Sequence, residues 1–208
     1  MTKPIPLEEG NFYHIYNRGN NGEVIFYDEE DYQRFLKKYI QYCYPALDTY
    51  AYCLMGNHFH LLVKVRTEGE RRTLIAKDPF RGRDPERVHH LTVSRQLSHL
   101  FNSHAQYINK NYERTGSLFE KPFKRKRIDH RNYLKNVIQY IHWNPQFHIA
   151  ATDFAEYPYS SYQRYISDDS TRLNCDSVFH IFGGSAKFIE SHQKIALPPG
   201  DDYTFDLN

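Results

Sequence analysis

The sequence predicts an α+β fold: a ferredoxin-like antiparallel sheet whose elements follow the order β-α-β-β-α-β, with one further helix after them. Two observations along the 208 residues predict this fold. Short segments rich in β-branched and aromatic residues indicate strands, and longer segments with apolar residues at helical spacing separate them. The aromatic content is also high, at 16%. Aromatic rings serve both protein cores and the stacking of unpaired bases.

The first half of the chain predicts three strands and one helix. Acidic residues at 28–30 mark the start of the helix, and its apolar spacing continues until Pro45. The dipeptide Gly56-Asn57 is typical of a hairpin turn and joins two strands. The predicted strands are Phe12–Tyr16, Thr49–Met55 and His58–Arg66, and the predicted helix covers residues 31–43.

The second half predicts two long helices around a basic strand. Residues 67–89 are polar and are interpreted as a mobile basic excursion or lid. The helix that begins at Arg131 is expected to end at Trp143, because the residue before Pro145 is biased away from the α conformation. The remaining predictions are a helix over Leu91–Tyr112, a basic strand within Leu118–Ile128, and short helices over Cys175–Phe182 and Lys187–Ile195.

These elements predict one principal domain over residues 1–150, which includes the helix 131–143, and an acidic extension over 151–208 without an assigned role. No apolar run of about 18 residues exists, so no membrane association is expected. The three cysteines form no C-x-x-C pair. This pattern argues against a disulfide framework or a thiolate zinc site and is typical of a cytoplasmic protein.

The formal net charge is only +2, but the middle of the chain is strongly basic. Its peak lies at residues 121–127, where five of seven residues are basic and Phe119 and Phe123 are close by. Such a block indicates a surface that binds a polyanion, and the aromatic rings can stack on unpaired bases. The alternative is a solvated surface of flexible lysines. The basic residues are Lys121, Lys124, Arg125, Lys126 and Arg127.

Strand alternation divides the segment 58–65 into two faces. The four apolar residues from Phe59 to Val65 share one face and are expected to pack under the two helices. His58 and His60 share the other face, with imidazoles about 7 Å apart along the strand, and can converge on one divalent ion. An isolated His-x-His is a weak signal, so a pair of structural histidines is the alternative.

The helix that begins at residue 131 supplies a second group of polar side chains. Tyr140 and Asn144 are four residues apart and therefore lie on one helix face. A phenol and an amide oxygen in this arrangement can serve as a nucleophile and a third metal ligand. Tyrosine is a weak nucleophile at its free pKa of about 10, so it requires a polarised electrophile or a nearby base. Tyr140 can equally be a packed helix aromatic, and Tyr133 is the competing nucleophile.

These motifs resemble those of a known family. Residues 56–62, Gly-Asn-His-Phe-His-Leu-Leu, resemble the histidine–hydrophobic–histidine (HUH) motif of the single-tyrosine transposases, and residues 140–145 resemble the segment that bears their tyrosine. More narrowly, the sequence is similar to the REP-associated tyrosine transposases. It matches their Arg-Gly-Asn segment at 18–20, their Gly-x-Leu-Phe segment and basic stretch at 116–127, and their Ser-Ser-Tyr turn at 160–162.

The resemblance implies a ferredoxin-like fold with an added tyrosine helix, and the cleavage and rejoining of single-stranded DNA beside hairpin-forming palindromes during transposition. It implies that Tyr140 is the nucleophile, that His58 and His60 are metal ligands, and that Asn144 is the polar third ligand. The metal is expected to be Mg²⁺ or Mn²⁺, between which the sequence does not choose. Arg18 and the basic stretch are expected to bind the single-stranded or hairpin DNA.

The reaction implied by the resemblance is a transesterification in which Tyr140 attacks the scissile phosphate, leaving a 5′-phosphotyrosine and a free 3′-hydroxyl. Two other classes stay open. One is a non-catalytic single-stranded nucleic-acid-binding module on a ferredoxin-like sheet. The other is a two-histidine metallohydrolase, which would need carboxylates near the histidines, and none lies within 7 residues of them. The chain is expected to act as a monomer or a homodimer.

Overall fold

Four strands form one sheet in the computed structural model, which describes residues 4–77, 92–149, 152–167 and 171–194. They are β1 (Phe12–Arg18), β2 (Leu47–Met55), β3 (His58–Val65) and β4 (Lys124–Ile128). Their spatial order is β2-β3-β1-β4, and every neighbouring pair is antiparallel. This is the order of a ferredoxin-like sheet, so the predicted fold is confirmed.

The described ranges contain seven α-helices, of which five correspond to predicted helices. They are α1 (Glu29–Tyr42), α2 (Glu68–Lys77), α3 (Val93–Asn111), α4 (Arg131–His148), α5 (Tyr162–Ile166), α6 (Cys175–Phe182) and α7 (Ser185–Gln193). None of these helices has the length and apolar character needed to cross a membrane. The segment 67–89, interpreted as a mobile excursion, begins instead with the helix α2, and residues 78–91 lie outside the described ranges.

One face of the sheet is covered by α1 and α3. The predicted alternation of β3 is confirmed there, because the four apolar residues from Phe59 to Val65 lie in one buried cluster with Phe35 of α1 and Leu97 of α3. Each of these side chains is at most 1% exposed. Burial of a large apolar side chain contributes about 1.5–3 kcal/mol to stability, so this layer is a principal stabilising element of the fold.

The opposite face of the sheet is covered by α4 and the C-terminal helices. Leu62 of β3 and Ile141 of α4 lie in a second buried cluster, which also contains Phe154, Tyr165 and Phe188. The extension beyond residue 150, to which no role was assigned, therefore closes this face and shares a core with the sheet.

The helix α4 is five residues longer than predicted, since it ends at His148 and not at Trp143. Pro145 lacks an N–H, so it forfeits one helical hydrogen bond to the carbonyl of Ile141. The turn after the proline is nevertheless closed, because the Ile149 N–H donates to the Pro145 carbonyl at 2.8 Å. Trp143 is buried and its indole N–H donates to the His192 carbonyl, and this packing outweighs the conformational bias against a residue before proline.

Candidate active site

The turn at residues 56–57, which precedes the two histidines, is held by main-chain hydrogen bonds from residues 19, 25 and 26. The Gly56 carbonyl accepts from the two N–H groups of residues 25–26, at 2.7 and 3.0 Å, and the Asn57 carbonyl accepts from the Gly19 N–H at 2.8 Å. Position 19 requires glycine, since a Cβ there would lie 1.9 Å from the carbonyl oxygen of Glu23. The Arg-Gly-Asn segment thus fixes the position at which β3 begins.

His58 and His60 lie on the face of β3 that α4 covers, as the alternation predicts. Their ring centroids are 5.3 Å apart, with the ring planes close to perpendicular. They are 6% and 0% exposed, so both imidazoles are removed from bulk water.

Tyr140 and Asn144 reach these histidines from α4. The Tyr140 ring packs edge-to-face against His60, with centroids 5.6 Å apart, and Asn144 Oδ1 lies 2.9 Å from His58 Nε2. The structure therefore brings together the four side chains that the sequence singled out for metal binding and nucleophilic attack.

The arrangement of His58 fits a metal site. Its Nδ1 lies 2.7 Å from the side-chain oxygen of Asn57, which can only accept, so the ring proton belongs on Nδ1. The Nε2 lone pair then faces the Asn144 oxygen, and two acceptors at this distance are compatible when they share a cation. Asn144 is completely buried, and its amide nitrogen has no hydrogen-bond partner among the described residues.

A metal site with three protein ligands at this position would need the asparagine as well as the two histidines. In the described ranges, no group of three or more histidine, cysteine, aspartate or glutamate side chains could hold a metal ion. Two imidazoles and one amide oxygen form a mixed donor set that suits Mn²⁺ and tolerates Mg²⁺.

Two further histidines, which the sequence did not single out, adjoin the site. His14 of β1 is 1% exposed, and its Nε2 lies 2.9 Å from Nδ1 of His60. His148 lies in the last turn of α4 with its ring 4.9 Å from that of His58. Strand alternation in β1 could have placed His14 on the face of His60. A helix continued through Pro145 could have placed His148 near His58.

Tyr133, the competing nucleophile, lies two turns before Tyr140 on α4. Its ring packs on the second buried cluster, and the Lys126 ammonium lies 5.0 Å from the ring centroid. Tyr140 lies one turn from Asn144, and its ring contacts both His60 and His14.

The basic stretch is divided between the two faces of the sheet. In the β1–β4 register, Lys126 lies opposite His14 and Lys124 lies opposite Tyr16, so these two lysines share the face of the histidines. Arg125 and Arg127 point to the other face. Lys121 precedes the strand and is exposed.

The two arginines of β4 bind groups of the protein itself. The Arg125 guanidinium donates to Ser94 Oγ at 3.0 Å and lies 4.0 Å from the Phe123 ring centroid, and burial lowers its pKa. Arg127 forms ion pairs with Glu8 and Asp129, at 3.0 and 2.7 Å.

The residues around Glu120 qualify the expected role of Arg18. Both Arg18 and Lys124 form ion pairs with Glu120, with nitrogen–oxygen distances of 2.5 and 3.6 Å. Arg18 lies opposite His58 in the β1–β3 register, so it belongs to the face of the histidines, while its guanidinium is paired with the Glu120 carboxylate.

The expected stacking role of Phe119 is not supported, because this ring is part of the core. Phe119 is 5% exposed and packs against Phe59, Phe101 and His104. Phe123 is half-buried and keeps part of its ring accessible. In the described ranges, helices cover both faces of the sheet, so neither face is open for bases to stack on it.

Among solved structures, the chain is similar to that of a REP-associated tyrosine transposase bound to a REP hairpin. The two share 14% sequence identity, the TM-score is 0.59, and the match covers 84% of this chain and 96% of the other. No family profile matches the sequence, and no curated protein matches it. At this identity the similarity shows a common fold.

Proposed function

We propose that this protein cleaves and rejoins single-stranded DNA by transesterification through a 5′-phosphotyrosine, acting on hairpin-forming palindromic DNA. Tyr140 is the nucleophile in this proposal, and His58, His60 and Asn144 hold a divalent metal. The observation that carries it is the meeting of these four side chains on one buried face, with an amide oxygen 2.9 Å from an imidazole nitrogen. The fold shared with a hairpin-bound transposase supports the choice of substrate.

The environment of Tyr140 suits a nucleophile whose position must be fixed before reaction. The side chain is 5% exposed and packs edge-to-face against both His60 and His14. A ring held in this way loses little further freedom on reaching the attacking geometry, which is one source of rate enhancement. A bound divalent cation would supply Lewis acidity toward the phosphate oxygens.

The attack forms a bond between the tyrosine oxygen and phosphorus and breaks the bond from phosphorus to the 3′ oxygen. The strand 3′ to the break stays on the protein through its 5′ phosphate, and the other strand leaves with a free 3′-hydroxyl. Because the phosphodiester bond is exchanged and not hydrolysed, the 3′-hydroxyl can reverse the reaction without ATP.

The test uses a single-stranded hairpin labelled at either its 3′ or its 5′ end, incubated with protein and Mn²⁺ or Mg²⁺ and then analysed by denaturing electrophoresis. The wild-type protein should carry the 3′ label and not the 5′ label. Tyr140→Phe should bind the hairpin but give no labelled protein band. Tyr133→Phe, the same change on the same helix, is the matched control and should give the wild-type band.

A labelled band in Tyr140→Phe would contradict the assignment of the nucleophile. A band that carries the 5′ label would contradict the polarity of the reaction. Tight hairpin binding without a covalent band in any variant would favour the non-catalytic binding module.

A further inference from the structure

His60 has a second buried histidine behind it. His14 lies on the same sheet face, two residues along β1 from Tyr16, which is opposite His60. The His14 Nε2 is 2.9 Å from His60 Nδ1, and the two rings lie side by side, with centroids 5.0 Å apart and planes 28° apart. The side chains are 1% and 0% exposed, so water competes little for this hydrogen bond.

We propose that His14 is a positioning residue for the metal site: its Nε2 accepts a hydrogen bond from Nδ1–H of His60 and thereby keeps the lone pair of His60 on Nε2. This inference rests on the proposed function for the identity of the ligands. A hydrogen bond between two neutral imidazoles has two possible directions. In the opposite direction His60 would carry its proton on Nε2, and that nitrogen could not bind a cation.

The neighbouring histidine supports this direction. His58 Nδ1 faces the side-chain oxygen of Asn57 at 2.7 Å, an acceptor that fixes the proton on Nδ1 and leaves Nε2 toward Asn144. With His14 as an acceptor, both histidines have the same tautomer and present the same ring atom. Histidines that bind metals almost always donate their other ring N–H to such an acceptor, and loss of that acceptor typically weakens metal binding about 10–100-fold.

The first measurement reads the tautomer directly in metal-free protein. Long-range ¹H–¹⁵N spectra of ¹⁵N-histidine-labelled protein distinguish a protonated Nδ1 from a protonated Nε2, and a His60→Gln variant assigns the signals. We expect His60 to carry its proton on Nδ1 in the wild type. In His14→Phe, which keeps a ring but removes the acceptor, the Nε2–H tautomer should become populated.

The second measurement is the dissociation constant for Mn²⁺, obtained from the electron paramagnetic resonance signal of the free ion. His14→Phe should weaken binding about 10–100-fold. His14→Gln, whose amide oxygen can accept from His60, should restore most of the affinity. Tyr13→Phe is the matched control, because it removes one buried polar atom from the other face of β1 and should leave the Mn²⁺ affinity unchanged.

Circular dichroism and thermal melting show which variants are folded, and if His14→Phe is unfolded, the tautomer of His60 in the wild type decides the role of His14. The proposal is overturned if wild-type His60 carries its proton on Nε2, or if His14→Phe binds Mn²⁺ as tightly as the wild type. Absence of Mn²⁺ binding in the wild type would instead contradict the metal site of the proposed function, and the tautomer would still decide the role of His14.

Discussion

In the proposed metal site, Asn144 would supply a neutral oxygen where many metal sites have a carboxylate. It is completely buried, and its amide nitrogen has no hydrogen-bond partner in the described part of the chain. An unsatisfied buried polar group costs about 1–3 kcal/mol. This cost is understandable if the oxygen on the same amide serves as a ligand.

Substitutions at Asn144 should therefore change metal affinity according to the charge of the oxygen. Asn144→Ala should weaken Mn²⁺ binding by at least the roughly 10–100-fold that loss of an outer acceptor costs. Asn144→Asp should bind Mn²⁺ more tightly than the wild type, because hard cations prefer carboxylate oxygens. Gln146→Glu makes the same chemical change at an exposed position of α4 and controls for added charge. Equal affinities for Asn144→Ala and the wild type would exclude Asn144 as a ligand.

Two buried histidines outside the site make stability depend on pH. Burial lowers the pKa of His104 and of His192 to about 4, whereas the unfolded chain has a histidine pKa near 6.5. Well above pH 6.5 both rings are neutral in both states. Between pH 6.5 and 4 the unfolded chain takes up protons that the folded protein excludes, so the free energy of unfolding falls as the pH is lowered.

For His104 we expect a loss of roughly 2 kcal/mol between pH 7 and pH 5, measured by urea unfolding. Its Nε2–H donates to the Ile25 carbonyl at 2.7 Å, a bond that the amide of His104→Gln can keep without a titrating group. The loss should therefore be smaller in His104→Gln. His99→Gln, at an exposed position of α3, controls for the substitution, and an identical pH dependence in all three proteins would refute the argument.

At the scale of the elements, β4 determines which basic side chains lie on the face of the histidines. A five-residue strand with four basic side chains looks uniform in sequence, but the pleat separates it into two pairs. The pair at 124 and 126 lies on the face of the histidines, and the Lys124–Glu120 distance of 3.6 Å is longer than those of the Arg127 ion pairs. The pair at 125 and 127 binds Ser94, Glu8 and Asp129.

Neutralising the two pairs should therefore have different effects on hairpin binding. Lys124→Gln with Lys126→Gln should weaken the binding of all hairpin sequences and reduce the log–log salt slope by about 1.4, at roughly 0.7 for each phosphate contact of a single strand. Arg125→Gln with Arg127→Gln removes the same charge from the same strand and should leave the slope largely unchanged. The same loss of slope for both pairs would show that the faces of β4 do not matter.

At the scale of the whole molecule, features set by local periodicity could be predicted from the sequence, and features set by the pairing of distant strands could not. The order of the elements and the two faces of β3 follow from local periodicity, and the meeting of His60 with Tyr140 follows once α4 lies on the histidine face. The role of His14 could not be predicted in this way, because it depends on the pairing of two strands that are distant in sequence.

Other features escaped prediction because tertiary packing overrides local preference. The conformational bias before Pro145 is real, yet the buried Trp143 and the hydrogen bonds around it carry α4 to His148. Phe119 precedes a basic stretch and resembles a stacking residue, but its position beside Phe101 makes it part of the core. The C-terminal helices have no distinctive motif, and their role follows from the sheet face they cover.

Because the sheet contributes to both buried clusters, we expect its two sides to unfold as one cooperative unit. Trp143, the sole tryptophan, is 4% exposed and lies in the cluster on the histidine face, so its fluorescence reports on that side. Leu100→Ala, in the opposite cluster, should reduce the free energy of unfolding by about 2–5 kcal/mol. It should shift the urea midpoints of Trp143 fluorescence and of circular dichroism equally. Phe188→Ala, on the side of Trp143, is the matched variant and should also shift both probes together. If Leu100→Ala shifts circular dichroism and leaves the fluorescence midpoint in place, the two sides unfold independently, and the C-terminal helices with α4 form a separate unit.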